Sequence, residues 1–212
     1  MSTQTATAKA RKKTTAFSFP RDFEEIVITP VQPMTEDEYF EFCVSQHELR
    51  IEMTKEGQMI VMMPVGGEGS NRNFILTARL GAWAETNQSG IGFDATVGFR
   101  LPNKAKRGPD AAWVKRERWD ALTPKERKKF PPLCPDFVVE LRSDTDRLAK
   151  LQDKMQEYID NGAQLGWLID PLEKRVHVYR PGQPIEILDH PTEISGEPLL
   201  SGFVLKLAGI ID

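Results

Sequence analysis

The stretch PDFVVELRS, Pro135 to Ser143, constrains this chain more than any other. Side chains alternate along a strand, so Phe137, Val139 and Leu141 point one way, into a core. Asp136, Val138, Glu140 and Arg142 point the other way. Such a strand is either an ordinary core strand or one built around a site. A helix is expected next, from about 145 to 161, ended by Gly162. At 100° per residue, Leu148, Leu151, Met155, Tyr158 and Ile159 fall on one stripe, which should pack on the sheet. Glu157 falls on the opposite side and is expected to face water. Lys154 falls about 240° from Leu148, just off the edge of the stripe, and Lys150 points further toward water. Lys154 can lay its methylenes along the sheet and bring its ammonium to the end of the Glu140 strand. The plainer alternative is a lysine snorkelling at the rim of a core helix.

The rest of the chain reads as one α/β or α+β domain. Thr35 with Glu38 makes a capping box before Tyr39, Phe40 and Phe42, so a short helix should start there. LRIEMT and QMIVMM, separated by Lys55-Glu56-Gly57, read as a β-hairpin. A second helix is expected from about 70 to 87, where Ile75, Leu76, Leu80 and Trp83 recur at helical spacing. GFDATVGFRL reads as one strand with Phe93, Ala95, Val97, Phe99 and Leu101 on one face. AAWV, QLGWLID, RVHVYR and PIEIL read as further strands, and TPKERKKF as a short helix opened by Thr123, Pro124 and Glu126. The expected division is a disordered N-terminal tail over residues 1–22 and a single domain over 23–212. With 212 residues and 40% hydrophobic content, that domain has enough material for a real core.

Composition narrows the function. The net charge of −3 gives no global attraction to nucleic acid, so any such contact must come from a local patch. One candidate patch runs from Lys104 to Lys129, where ten Lys/Arg face four Asp/Glu and Trp113 and Trp119 lie between them. A solvated loop and helix face is the equal alternative. His47, His177 and His190 lack zinc-ligand spacing, and Cys43 and Cys134 are isolated thiols that fit a reducing cytoplasm. No apolar run reaches the length of a membrane span, and no membrane partner is expected. The basic, Ser/Thr-rich N-terminus faintly resembles a transit peptide, but a flexible tail is the expected reading.

Asp136 and Glu140 lie roughly 13 Å apart along the strand, too far to share one metal ion. Asp110, which follows its own proline in GPDAAWV, is the better partner for Glu140. If those strands pair, about 4.8 Å separates them. A plain strand start is the alternative for Asp110. Arg142 cannot act as a base, because a guanidinium stays protonated, though it could hold a phosphate.

These features together resemble the Uma family of restriction-endonuclease-like proteins, within the PD-(D/E)-x-K nuclease superfamily. The resemblance runs from about Thr35 to Tyr179. RIEMTKEGQMIVMMP, GPDAAWV, CPDFVVELRSDTD, KMQEYIDNGAQLGWLIDP and RVHVY carry it. It implies a restriction-endonuclease-like fold, a central mixed β-sheet flanked by helices. It also implies an acidic pair, Asp110 and Glu140, holding Mg²⁺ or Mn²⁺, and a lysine moved from the strand to the next helix, Lys154. Arg142 therefore stands where relatives outside this family keep their lysine. A further glutamate on the first core helix of related nucleases matches Glu68 in GGEGSN; a helix-start carboxylate is the equal alternative. Glu52 in RIEM is a second candidate for that place. The implied activity is metal-dependent endonucleolytic hydrolysis of phosphodiester bonds, with DNA as partner and homodimerisation open. A catalytically silent module that binds DNA or a protein is the other class left standing.

Overall fold

The computed structural model describes residues 25–62 and 64–212. The expected tail over residues 1–22 lies outside the described residues. In chain order the elements begin β1 (Glu25–Ile28), α1 (Glu36–Ser45), β2 (Arg50–Met53), β3 (Met59–Met62) and α2 (Gly67–Asn87). There follow β4 (Gly90–Asp94), β5 (Phe99–Arg100), β6 (Lys106–Arg107), β7 (Ala111–Lys115), α3 (Arg116–Asp120) and α4 (Pro124–Arg127). The chain closes with β8 (Phe137–Leu141), α5 (Leu148–Asp160), β9 (Leu165–Asp170), β10 (Arg175–Tyr179), β11 (Glu186–Asp189), β12 (Glu193–Ser195) and β13 (Val204–Lys206).

The alternation of β8 sets the architecture. Phe137, Val139 and Leu141 join a core with Leu76, Leu80 and Ala84 of α2. Val138 turns the other way and joins Met155 and Tyr158 of α5. Both faces of β8 are covered, so it must be a central strand. It lies in a six-stranded sheet of order β11-β10-β9-β8-β7-β4, in which β8 and β9 run parallel and every other pair is antiparallel. This is the expected central mixed sheet between helices. A Cβ on Gly166 of β9 would stand 2.5 Å from the Met155 methyl, so glycine there lets α5 lie close on the sheet.

A second, antiparallel sheet of order β1-β3-β2-β6-β5 is built on the expected hairpin. Gly57 makes its turn with φ of +85°. α1 carries the expected capping box, and Tyr39 roots that helix beside Met53 and Met59. β12 and β13 pair separately, near the C-terminus. Among the described residues no helix is long and apolar enough to cross a membrane.

Three expectations change, and four short elements are added. The strand anticipated over 93–101 breaks, because Asp94 Oδ1 accepts from the Thr96 amide at 3.0 Å and its hydroxyl at 2.6 Å. That turn sends β5 into the other sheet. Phe93 and Phe99 still meet, with ring centroids 5.3 Å apart, which is why the alternation looked continuous. α2 begins at Gly67, earlier than its periodicity indicates, behind a glycine cap that makes no side-chain bond. β1, α3, β12 and β13 span three to five residues each, too short for periodicity to register. Glu157 does not face water. The β5–β6 segment folds over it, and its carboxylate accepts from Arg107 Nε at 2.6 Å and Asn103 Nδ2 at 2.8 Å.

Met155→Ala is expected to cost about 2–5 kcal/mol, as a fully buried side chain under the sheet. Glu157→Ala is expected to cost about 1–2 kcal/mol, because it frees a largely buried guanidinium. Urea melts of both variants check this, and a Glu157→Ala melt indistinguishable from wild type would mean the Arg107 clamp adds nothing.

Candidate active site

Asp110 and Glu140 face each other across the β7–β8 pair. The register places Ala111 opposite Val139, so the residues immediately before and after them are opposed as well. The Asp110 amide donates to the Val139 carbonyl at 3.0 Å, which extends the pairing to the site. Asp110 Oδ2 accepts from the Leu141 amide at 2.8 Å, and Oδ1 accepts from Arg50 Nη1 at 3.0 Å. Glu140 projects to the α5 face, where its Oε1 lies 2.8 Å from Lys154 Nζ and accepts from the Tyr158 hydroxyl at 3.1 Å.

Lys154 reaches further than a snorkelling lysine. It is 9% exposed, and its ammonium bridges Glu140 of the central sheet and Glu52 of the hairpin, at 2.8 Å from each. Glu52 Oε1 also accepts from the Gly108 amide at 2.9 Å, and Oε2 from Arg107 Nη1 at 3.1 Å. Arg50 donates to the Gly108 carbonyl. Alternation puts Arg50 and Glu52 on one face of β2, so the hairpin supplies one cation and one anion to the same centre. Arg50, Glu52, Arg107, Asp110, Glu140 and Lys154 line a cavity of about 1040 Å³.

Lys154, Arg50 and Arg107 meet Asp110, Glu140, Glu52 and Glu157, three cations against four carboxylates. The excess falls on Glu140. Burial pushes its carboxyl up to about 7; Lys154 opposes this, while the charges of Asp110 and Glu52 add to it. Burial would also raise Glu52, but Lys154, Arg107 and Arg50 outweigh it and hold that carboxyl down at about 2. For Lys154, burial would lower the ammonium, yet Glu140 and Glu52 outweigh burial and raise it above the ordinary value. In the cation-free protein these two carboxylates favour the ammonium form of Lys154.

Among the sequence candidates, Asp110, Glu140, Lys154 and Glu52 come together. Glu68 does not join them. It stands at the first turn of α2 on the cavity rim, its carboxylate exposed and 4.0 Å from Arg72. Asp136 is at the other end of β8, held by Arg118 at 3.0 Å and the Lys115 amide at 2.9 Å. Arg142 is tied to Asp170 at 2.8 Å. Of the cations between Lys104 and Lys129, Arg107 alone lines the cavity. Lys106 pairs with Glu36 at 3.2 Å and Lys129 with Asp37 at 2.7 Å, so these two members of the stretch brace α1. Arg50, Arg107, Tyr158 and the Gly108 backbone were not anticipated. The Arg-x-Glu spacing in β2 was a signal for the first.

Among the described residues no three His, Cys, Asp or Glu side chains converge as a metal set. Asp110 and Glu140 offer two carboxylates. Hard oxygen donors, an excess negative charge and an open cavity suit a cation such as Mg²⁺, which takes one or two carboxylates and completes its shell with water and phosphate.

The family model described as "Uma2: Putative restriction endonuclease" matches residues 36–208. The chain belongs to the Uma2 family. The match continues past Tyr179, where the sequence resemblance stopped, through β11, β12 and β13. A crystal structure of a "putative nuclease belonging to DUF820" from Anabaena variabilis has the same fold, with a TM-score of 0.64 and 22% identity. The alignment covers 84% of this chain and 98% of that one. A search of curated proteins finds no significant match.

The Glu140 shift sets a pH dependence for the cation-free protein. Its folded pKa lies above the unfolded one, so its contribution is full below the ordinary carboxylate range and lost as pH rises through about 7. Glu140→Gln should therefore gain on wild type as pH rises from about 5 to about 8. Urea melts in EDTA across that range measure it, and a constant difference would refute the shift.

Proposed function

We propose that this Uma2 protein is a metal-dependent endonuclease that hydrolyses phosphodiester bonds of DNA. Asp110 and Glu140 would hold Mg²⁺ or Mn²⁺. The observation that supports this most directly is the buried Lys154 ammonium, held between two carboxylates at the floor of an open cavity. Such a charged cluster is weak evidence for stability, since well-packed apolar residues usually serve as well or better. Its position beside a cavity favours chemistry.

A divalent cation held by the carboxylate pair would polarise the scissile phosphate and lower the pKa of an attacking water. Lys154 offsets the negative charge that grows on the phosphate and helps orient that water. Glu52 and Tyr158 keep the lysine and Glu140 in place, Glu52 from one side of the ammonium and Tyr158 by donating to the Glu140 oxygen. Glu52 is thus a positioning residue and a better companion to Lys154 than Glu68.

One observation favours the second reading, a catalytically silent module that binds DNA or a protein. Both Asp110 oxygens and the Lys154 ammonium already have partners within the chain. Plasmid cleavage with Mg²⁺ or Mn²⁺ separates the two. Wild type should cut and should melt at a higher temperature with the cation. Asp110→Asn should lose both responses, whereas Lys154→Met should lose cleavage by about 10²-fold or more while keeping much of the thermal shift. A wild type that gains cation stability and cuts no DNA would establish the silent module. A melt unmoved by millimolar Mg²⁺ and Mn²⁺ would remove the metal site.

A further inference from the structure

Arg50 has no role in the chemistry above, yet it touches the centre of the site. Its Nη1 sits 3.0 Å from Asp110 Oδ1, its Nη2 reaches the Gly108 carbonyl, and its side chain is 28% exposed on the cavity wall. Its Nε is buried without a hydrogen-bond partner among the described residues. A guanidinium carries five donors in a rigid fork suited to carboxylate or phosphate, so part of this one remains unused. The difficulty lies with Asp110. A divalent cation taking that carboxylate would stand within about 4 Å of the arginine charge, a repulsion worth on the order of tenfold in affinity even when solvent screens it.

We propose that Arg50 is a movable counter-ion. It holds Asp110 in the cation-free protein and, once a divalent cation takes that carboxylate, turns its guanidinium onto a phosphate of the nucleic acid. The inference rests on reading Asp110 as a metal ligand. Its consequence is coupling: the cation frees the arginine for the phosphate, and the phosphate draws the arginine away from the cation's carboxylate. Each ligand then strengthens the other by the same factor.

Mn²⁺ binding followed by electron paramagnetic resonance tests this, with and without a short phosphorothioate DNA duplex that resists cleavage. Wild type should bind Mn²⁺ more tightly when the duplex is present. Arg50→Gln should bind Mn²⁺ alone on the order of tenfold more tightly than wild type, and the duplex should add clearly less than it adds to wild type. Arg50→Lys keeps the charge without the fork and should retain the weak binding of Mn²⁺ alone, with a smaller gain from the duplex. Melts in EDTA show whether each variant is folded. If Arg50→Gln is folded and binds Mn²⁺ no more tightly than wild type, Arg50 is only a strut between β2 and Gly108 and the proposal falls. If wild type and both variants bind no Mn²⁺, the metal reading of Asp110 falls first and takes the proposal with it.

Discussion

The ammonium of Lys154, buried between Glu140 and Glu52, is the interaction on which the rest of this structure depends. A lone charge in such a place would be very costly, so each partner is needed to keep the other two buried. The partners come from different layers. Glu140 stands on the central mixed sheet, Glu52 on the hairpin of the antiparallel sheet, and Lys154 on the helix between them. One nitrogen thereby ties the two sheets together through the helix. The Gly108 amide and carbonyl complete the joint from the backbone, one bonding Glu52 and the other Arg50.

The opposite face of the central sheet supplies the rigidity this needs. Phe137 and Trp167 pack edge to face at 4.7 Å, and Trp167 stacks on Phe203 at 5.9 Å. Leu205 and Leu207 lie in the same core, with Leu76 and Leu80 of α2. Residues past Tyr179 are thus part of the platform under the site, in keeping with a family match that runs to residue 208. The site departs from an apolar interior on one face while the other face is packed without charge. That is the pattern expected where local stability is traded for function.

What the sequence made legible was whatever repeats. Alternation along β8 separated core residues from site residues, and helical spacing put Lys154 beside the buried stripe of α5. The two Pro-Asp strand starts pointed to Asp110 as the partner of Glu140 because neighbouring strands lie close. What stayed hidden was long-range docking, which leaves no period. Glu157 lies on the polar side of α5 by phase, and only the folded β5–β6 segment covers it with Arg107. Glu68 stood ahead of Glu52 in the sequence, and only the meeting of hairpin and helix sets Glu52 against Lys154. The break after Asp94 was masked because the residues on either side of the turn return to one core.

Keeping the lysine on α5 instead of on β8 changes which lengths of chain the protein can vary. The loop from Arg142 to Arg147 connects two elements whose positions are set by packing on the sheet. A residue gained or lost there would be absorbed in the loop, as is usual for surface connections. The same change inside α5, between Leu148 and Lys154, would turn Leu148 and Leu151 by about 100° relative to Lys154, Met155 and Tyr158 and break the stripe that packs the helix on the sheet. The loop at the cavity mouth can therefore change length, and with it the shape of the entrance, while the first two turns of the helix are held to a single length.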